Sequence, residues 1–146
     1  MKRTIKAVLL LLWMGLIFYL SAQPAADSSA TSGSIALFLY RLFRLLGFRG
    51  VSETVFVEIY MRPIRKIAHL IEFMILGILV VINIHEYKKK SYMPWALLLA
   101  GAYAVSDELH QLFVANRSCQ ITDMLIDCLG AYIGIFLCHM FYEWKK

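Results

Sequence analysis

The stretch Pro63–Asn83, PIRKIAHLIEFMILGILVVIN, decides the fold class. As a helix its 21 residues reach about 31 Å, the thickness of a bilayer's hydrocarbon core. Proline suits the first turn of a helix, so a span starting at Pro63 is expected. Its second half has no ionisable residue, whereas Arg65, Lys66, His69 and Glu72 crowd its first half.

Three further runs have spanning length: 5–21, 92–113 and 121–141. The first follows Lys2, Arg3 and Lys6, as a cleavable signal would, but Leu20 is too large for the position two before a cut at Ala22. Trp13, Phe18 and Tyr19 also make it unusually aromatic, and a retained span is expected. Trp144 and two lysines close the last run as an interfacial anchor. Between the first two spans, Gln23–Ser34 (QPAADSSATSGS) has loop composition. Ile35–Phe48 is too short to cross; Arg41 and Arg44 share one helical face and Leu39, Leu42, Phe43 and Leu46 the other, which suits a helix in the interface or packed on the bundle. Ser52 caps a short second element that Pro63 interrupts.

Composition agrees. Of 146 residues, 60% are hydrophobic and 17% charged, with mean hydropathy +0.65, too few charges for the surface of a soluble globule and too apolar for disorder. The net charge of +5 reads as basic flanks of spans and not as nucleic-acid binding. Three cysteines without C-x-x-C signal neither a disulfide framework nor a zinc ribbon. The expected fold is therefore all-α: one domain over 1–146, an integral membrane bundle of four transmembrane helices with an amphipathic interfacial helix at 35–48 in the outer loop 22–62. Lys2, Arg3, Lys6, Lys88–Lys90, Lys145 and Lys146 then share one side, which the positive-inside rule makes cytoplasmic together with both termini. Seven of fifteen basic residues remain on the outer side, an unusual load that asks for anionic partners.

Ionisable groups within spans cost roughly 2.5–3.5 kcal/mol each at the centre and are read by default as functional. Here they share one depth. Arg65, Lys66, His69 and Glu72 begin one span; Asp107, Glu108, His110 and Gln111 end the next; Asp123 and Asp127 begin the last. Arg65, His69 and Glu72 fall on one helical face, as do Asp123, Asp127, Gly130 and Gly134, whose GAYIG lets a neighbouring helix approach closely. With Arg117 the cluster holds three cations against five carboxylates, an imbalance that protonation, a charged histidine or a divalent cation would relieve. Arg65, Lys66 and Arg117 suit a phosphate. Carboxylates with His69 suit Mg²⁺, Mn²⁺ or Zn²⁺, although their spacing matches no specific ligand motif. Protonatable carboxylates would also serve a proton-coupled transporter. His85 and His139 lack such company and read as packing, and no hydrolase or nucleotide-binding motif is present.

These residues resemble the VanZ-like family of small bacterial membrane proteins: Ser21-Ala-Gln-Pro24 with serines following; Arg65-Lys66-x-x-His69 with Glu72 and Phe73; Asp107-Glu108-x-x-Gln111-x-Phe113; then Arg117, Asp123, Gly130 and Gly134. Two positions depart from the family's pattern: Asn116 stands where glycine is frequent, which bears on the turn, and Asp127 stands where asparagine is frequent, which adds a negative charge. The resemblance implies an association with reduced susceptibility to lipoglycopeptides such as teicoplanin, without an established mechanism. Joined to the residue reading, it leads to the expectation of a cell-membrane protein whose outward pocket binds or modifies an anionic lipid head group, of a cell-wall precursor or a phospholipid. Arg65, Lys66, His69, Glu72, Asp107, Glu108, Gln111, Arg117, Asp123 and Asp127 are the expected binding residues. If a reaction occurs, His69, Glu72, Glu108 and Asp123 are the candidates for its acid–base chemistry. The alternatives are a small transporter and a non-catalytic scaffold.

Overall fold

The computed structural model of the chain describes residues 2–85 and 92–145. Lys88–Lys90 and Lys146, part of the basic side inferred above, lie outside the described residues. The described residues are all-helical: α1 (Arg3–Ser21), α2 (Ala25–Leu45), α3 (Glu53–Ile84), α4 (Tyr92–Gln111) and α5 (Ile121–Trp144). Of these, α1, α3 and α5 are long and apolar enough to cross a membrane.

Two expectations are corrected. Of the stretch 23–34 expected as loop, residues 25–34 are helical: α2 begins at Ala25 and ends at Leu45, not 35–48. Pro24 precedes its first turn, where Asp27 meets the positive end of the helix dipole. The hydroxyls that favour turns are instead absorbed by the helix, with Thr31, Ser32 and Ser34 donating to the carbonyls of Asp27, Ser28 and Ala30. Nor does Pro63 divide its region; α3 runs through it for 32 residues. A proline there forfeits one backbone hydrogen bond, and the packing of α2 along this part of α3 offsets the loss. Gly33 lies against Val57 and Tyr40 against Phe56, so α2 runs antiparallel to the start of α3 as a helical hairpin.

The remaining helices gather around α3. Its closest partner is α5, because three glycines remove the side chains that would hold the two apart. A Cβ on Gly77 would strike the backbone of Ala131, one on Gly130 that of Leu70, and one on Gly134 that of Met74. The GAYIG expectation is thus met at backbone contact. α1 is pinned by side chains: Trp13 Nε1 donates to the Glu72 carbonyl at 2.9 Å, and the Tyr103 hydroxyl to the Met14 carbonyl at 2.6 Å. Phe73, Leu76, Val80 and Val81 of α3, Ala96, Ala100 and Ala104 of α4, Ile17 and Ile135 make the buried apolar core. Cys128 and Cys138 pack against it as free thiols. At the end of the bundle formed by the close of α3 and α5, His85 stacks on Tyr142 and His139 meets the Tyr92 hydroxyl at 2.8 Å, so both histidines are packing residues.

Candidate functional site

At the other end the last turns of α1 and α4, the first turns of α5 and the middle of α3 meet, and the polar residues of four elements turn inward. Asp107 and Asp127 are 3% and 0% exposed, and Glu108 0%. Their helices orient them by spacing: Asp127 lies three residues before Gly130 and His69 next to Leu70, so the glycine contact that draws α3 against α5 also sets His69 Nδ1 3.7 Å from Asp127 Oδ1. Glu72, one turn on from His69, stands 3.9 Å from the same nitrogen.

Asp107 is held on one side only. Its Oδ2 accepts from Ser21 Oγ at 2.8 Å and from Gln111 Nε2 at 3.2 Å, whereas its Oδ1 has no hydrogen-bond partner among the described residues. The same is true of both Asp127 oxygens and of His69 Nδ1. Buried polar atoms are paired in nearly all native structures, so four such atoms together mark a site with work left for a ligand. Ligand atoms of His69, Asp107 and Asp127 all lie within 4.8 Å of one another.

Arg117 closes this centre from the loop between α4 and α5. Its Nη1 donates to Gln111 Oε1 at 3.2 Å and its Nε to the Gln23 carbonyl at 3.1 Å, tying the loop to the α1–α2 turn. Burial lowers the pKa of its guanidinium, and neighbouring Arg65 pushes the same way. Asn116 before it has φ 57°, the left-handed region that glycine enters freely and asparagine more readily than other residues, so the departure noted above keeps the turn. Glu108 serves a different purpose: its Oε2 accepts the backbone N–H of Gln120 at 2.8 Å at the entry to α5.

A second, more open group lies beside the first. Lys66 Nζ pairs with Asp123 Oδ1 at 3.0 Å, and Arg65 Nη2 donates to Ser29 Oγ of α2 at 2.6 Å. Arg62, Arg65, Lys66, Gln120 and Asp123 surround a cavity of about 380 Å³. Arg65 also borders a smaller cavity of about 100 Å³ with Gln23, His69, Glu72 and Arg117, and so links the two. The ten residues expected from sequence are thus brought to one end of the bundle, but in two shells: His69, Glu72, Asp107, Gln111 and Asp127 inside, with Arg117 over them, and Arg65, Lys66 and Asp123 at the mouth, while Glu108 is tied to the start of α5. His110 leaves the cluster and stacks on Phe18. Ser21, Gln23, Ser29 and Arg62 stand beside these residues and were not among the expected binding residues, although Ser21 and Gln23 lie in the Ser21–Pro24 stretch of the resemblance, Ser29 among the serines that follow it, and Arg62 in the outer basic load.

An all-helical bundle with three helices long and apolar enough to cross a membrane and an ionisable centre at one end fits the class of small helical membrane proteins. Within it, the family model VanZ/LLP1 matches residues 6–142, nearly the whole chain, and the chain belongs to that family. No curated protein and no solved structure matches it.

Proposed function

We propose that this VanZ/LLP1 family chain binds an anionic lipid head group at the outer face of a bacterial cell membrane, with its phosphate at the cationic mouth. The observation that carries the reading is the gathering of Arg62, Arg65 and Lys66 on one cavity of about 380 Å³ beside a buried carboxylate–histidine centre. Arginine forks hold phosphate oxygens bidentately and lysine adds a point charge. A phospholipid and a lipid-linked cell-wall precursor share that phosphate, which would connect the site with lipoglycopeptide susceptibility. Should the bound group be modified, His69 and Glu72 border the adjoining cavity and are the candidates for proton transfer.

The topology that fits is four spans with both termini cytoplasmic. α4 serves as the fourth span because its acidic groups are buried inside the bundle while Leu98, Leu99, Val105 and Leu109 face outward. The α2–α3 hairpin then lies at the outer surface, where exposed Phe38, Leu42, Leu45, Leu46 and Phe48, with Arg41, Arg44 and Arg49 alongside, suit a lipid interface. A transporter would need polar groups along the bundle axis, where the buried side chains are Phe73, Leu76, Val80, Val81, Ala100 and Ile135.

Native mass spectrometry of protein released from mixed phosphatidylglycerol and phosphatidylcholine nanodiscs tests the reading. The parent should retain the anionic lipid preferentially, and the Arg62→Gln/Lys66→Gln double variant should lose that preference. Equal anionic-lipid retention by both would overturn it.

A further inference from the structure

We propose that His69, Asp107 and Asp127 bind one divalent transition-metal ion of the Zn²⁺ or Mn²⁺ kind in the buried centre. The site does not depend on the head-group reading. Three observations converge on it. The ligand atoms of the three side chains lie within 4.8 Å of one another, and His69 Nδ1 and Asp127 Oδ1 are 3.7 Å apart. Metal–ligand bonds of about 2.0–2.2 Å place neighbouring ligand atoms roughly 3–3.6 Å apart, so side-chain movements of about an ångström or less complete the sphere. Asp107 Oδ1, both Asp127 oxygens and His69 Nδ1, on residues 3%, 0% and 8% exposed, are among the buried side-chain atoms without a hydrogen-bond partner.

The surroundings are those of a ligand already oriented for a metal. Ser21 and Gln111 both donate to Asp107 Oδ2 and leave Oδ1 without a hydrogen bond, as outer hydrogen bonds fix one oxygen of a metal-binding carboxylate. Were Glu72, Asp107 and Asp127 all ionised, Arg117 over Gln111 would offset one of their charges and a divalent ion the other two; protonation is the alternative relief in so poorly solvated an interior. An imidazole with two or three carboxylates suits Zn²⁺ or Mn²⁺; Ca²⁺ asks for six to eight oxygens, and Mg²⁺ for near-octahedral oxygen ligation with several waters. Three protein ligands leave a position open for water or substrate, as in catalytic metal sites. Glu72, 3.9 Å from His69 Nδ1, stands beside the site as a fourth ligand or a base.

The test uses the full chain, purified in detergent, stripped with chelator and titrated with Zn²⁺ or Mn²⁺ alone. One ion per chain is expected by elemental analysis. Asp127→Asn keeps shape while removing charge and should weaken binding beyond the roughly 10–100-fold typical of lost supporting residues. Glu58→Gln, exposed near the start of α3 and outside the site, should leave affinity within about twofold. Substitution with Co²⁺ gives a readout on the parent that no folding defect can mimic: absorption and X-ray absorption spectra should report one nitrogen and the rest oxygen. Failure of the parent to take up any of the ions, equal affinity in Asp127→Asn, or a coordination sphere without nitrogen would each overturn the proposal.

Discussion

Replacing Gly130 by alanine tests whether the α3–α5 seam positions the polar centre. The added methyl would meet the Leu70 carbonyl well inside the 3.0 Å limit that Cβ contacts observe, and the atom it meets is backbone, which cannot swing aside. The helices must part locally by on the order of 1 Å, and a gap of that size forfeits a quarter to a half of each dispersion contact along the seam. Overpacking of this kind costs about 1–3 kcal/mol, a roughly 5- to 150-fold fall in the folded-to-unfolded ratio. Because Leu70 neighbours His69 and Gly130 follows Asp127 by less than a turn, the same displacement lengthens the 3.7 Å approach of His69 to Asp127. Equilibrium unfolding by sodium dodecyl sulfate in mixed micelles measures the first effect, and metal titration the second. The control is Gly101→Ala, whose Cβ meets nothing within 4 Å; it should be neutral or stabilise by about 0.5–1 kcal/mol, since glycine within a helix is costly. If Gly130→Ala and Gly101→Ala unfold alike, the seam does not carry this role and the reasoning from backbone contact is refuted.

Ser21→Ala removes one of two donors to the buried Asp107 oxygen; a stability loss of about 1–3 kcal/mol in the same unfolding assay is expected, with metal affinity down roughly 10–100-fold. Lys66 is 41% exposed, so a double-mutant cycle with Asp123 should return a coupling of only about 0.2–1 kcal/mol, and a larger value would mean that the pair is structural. Trp13→Phe deletes the donor to the Glu72 carbonyl and should lower stability by about 0.5–1.5 kcal/mol without altering lipid retention. Retention of phosphatidylglycerol should weaken as salt rises from low to physiological strength, because Arg62 and Lys66 at the mouth are open to screening; salt-independent retention would point to apolar contact instead.

How much of this was written in the chain differs from element to element. The ends of α1, α4 and α5 were legible to within a few residues, because a run of apolar side chains bounded by charge has one stable place, and helical periodicity follows from backbone geometry alone. The convergence of Arg65, His69, Glu72, Asp107 and Asp127 was legible for a related reason: polar groups are costly in apolar helices, so those at matching ends of neighbouring helices are expected to gather together. In the region 22–62 the helix start at Ser52–Glu53 and the helicity of 35–45 were legible, but the helix over 25–34 was not. Its serines and threonine favour turns locally, and only packing against α3, with Ser29 meeting Arg65 and the other hydroxyls bonded back to their own helix, makes it helical. Pro63 was read as a start by local rule, whereas the neighbouring helix sustains α3 through it. Ser21 and Gln23 were legible only as part of the Ser21–Pro24 stretch of the resemblance; their contacts exist because α1 ends beside α4 and the loop bearing Arg117.

By itself the sequence determined the all-helical class of the fold, the gathering of the polar residues toward one end of their helices and the small-residue stripe on α5, since hydrophobicity and spacing act along the chain. Only the tertiary structure decided which atoms remain unpaired. Whether Asp107 Oδ1 finds a hydrogen-bond donor depends on the relative rotation of the helices, which backbone contact at Gly77, Gly130 and Gly134 and the donors on Ser21 and Gln111 help to fix. Interactions that reach across helices have no period in the sequence, which is why the cluster could be read from the chain and its division into a buried centre and a cationic mouth could not.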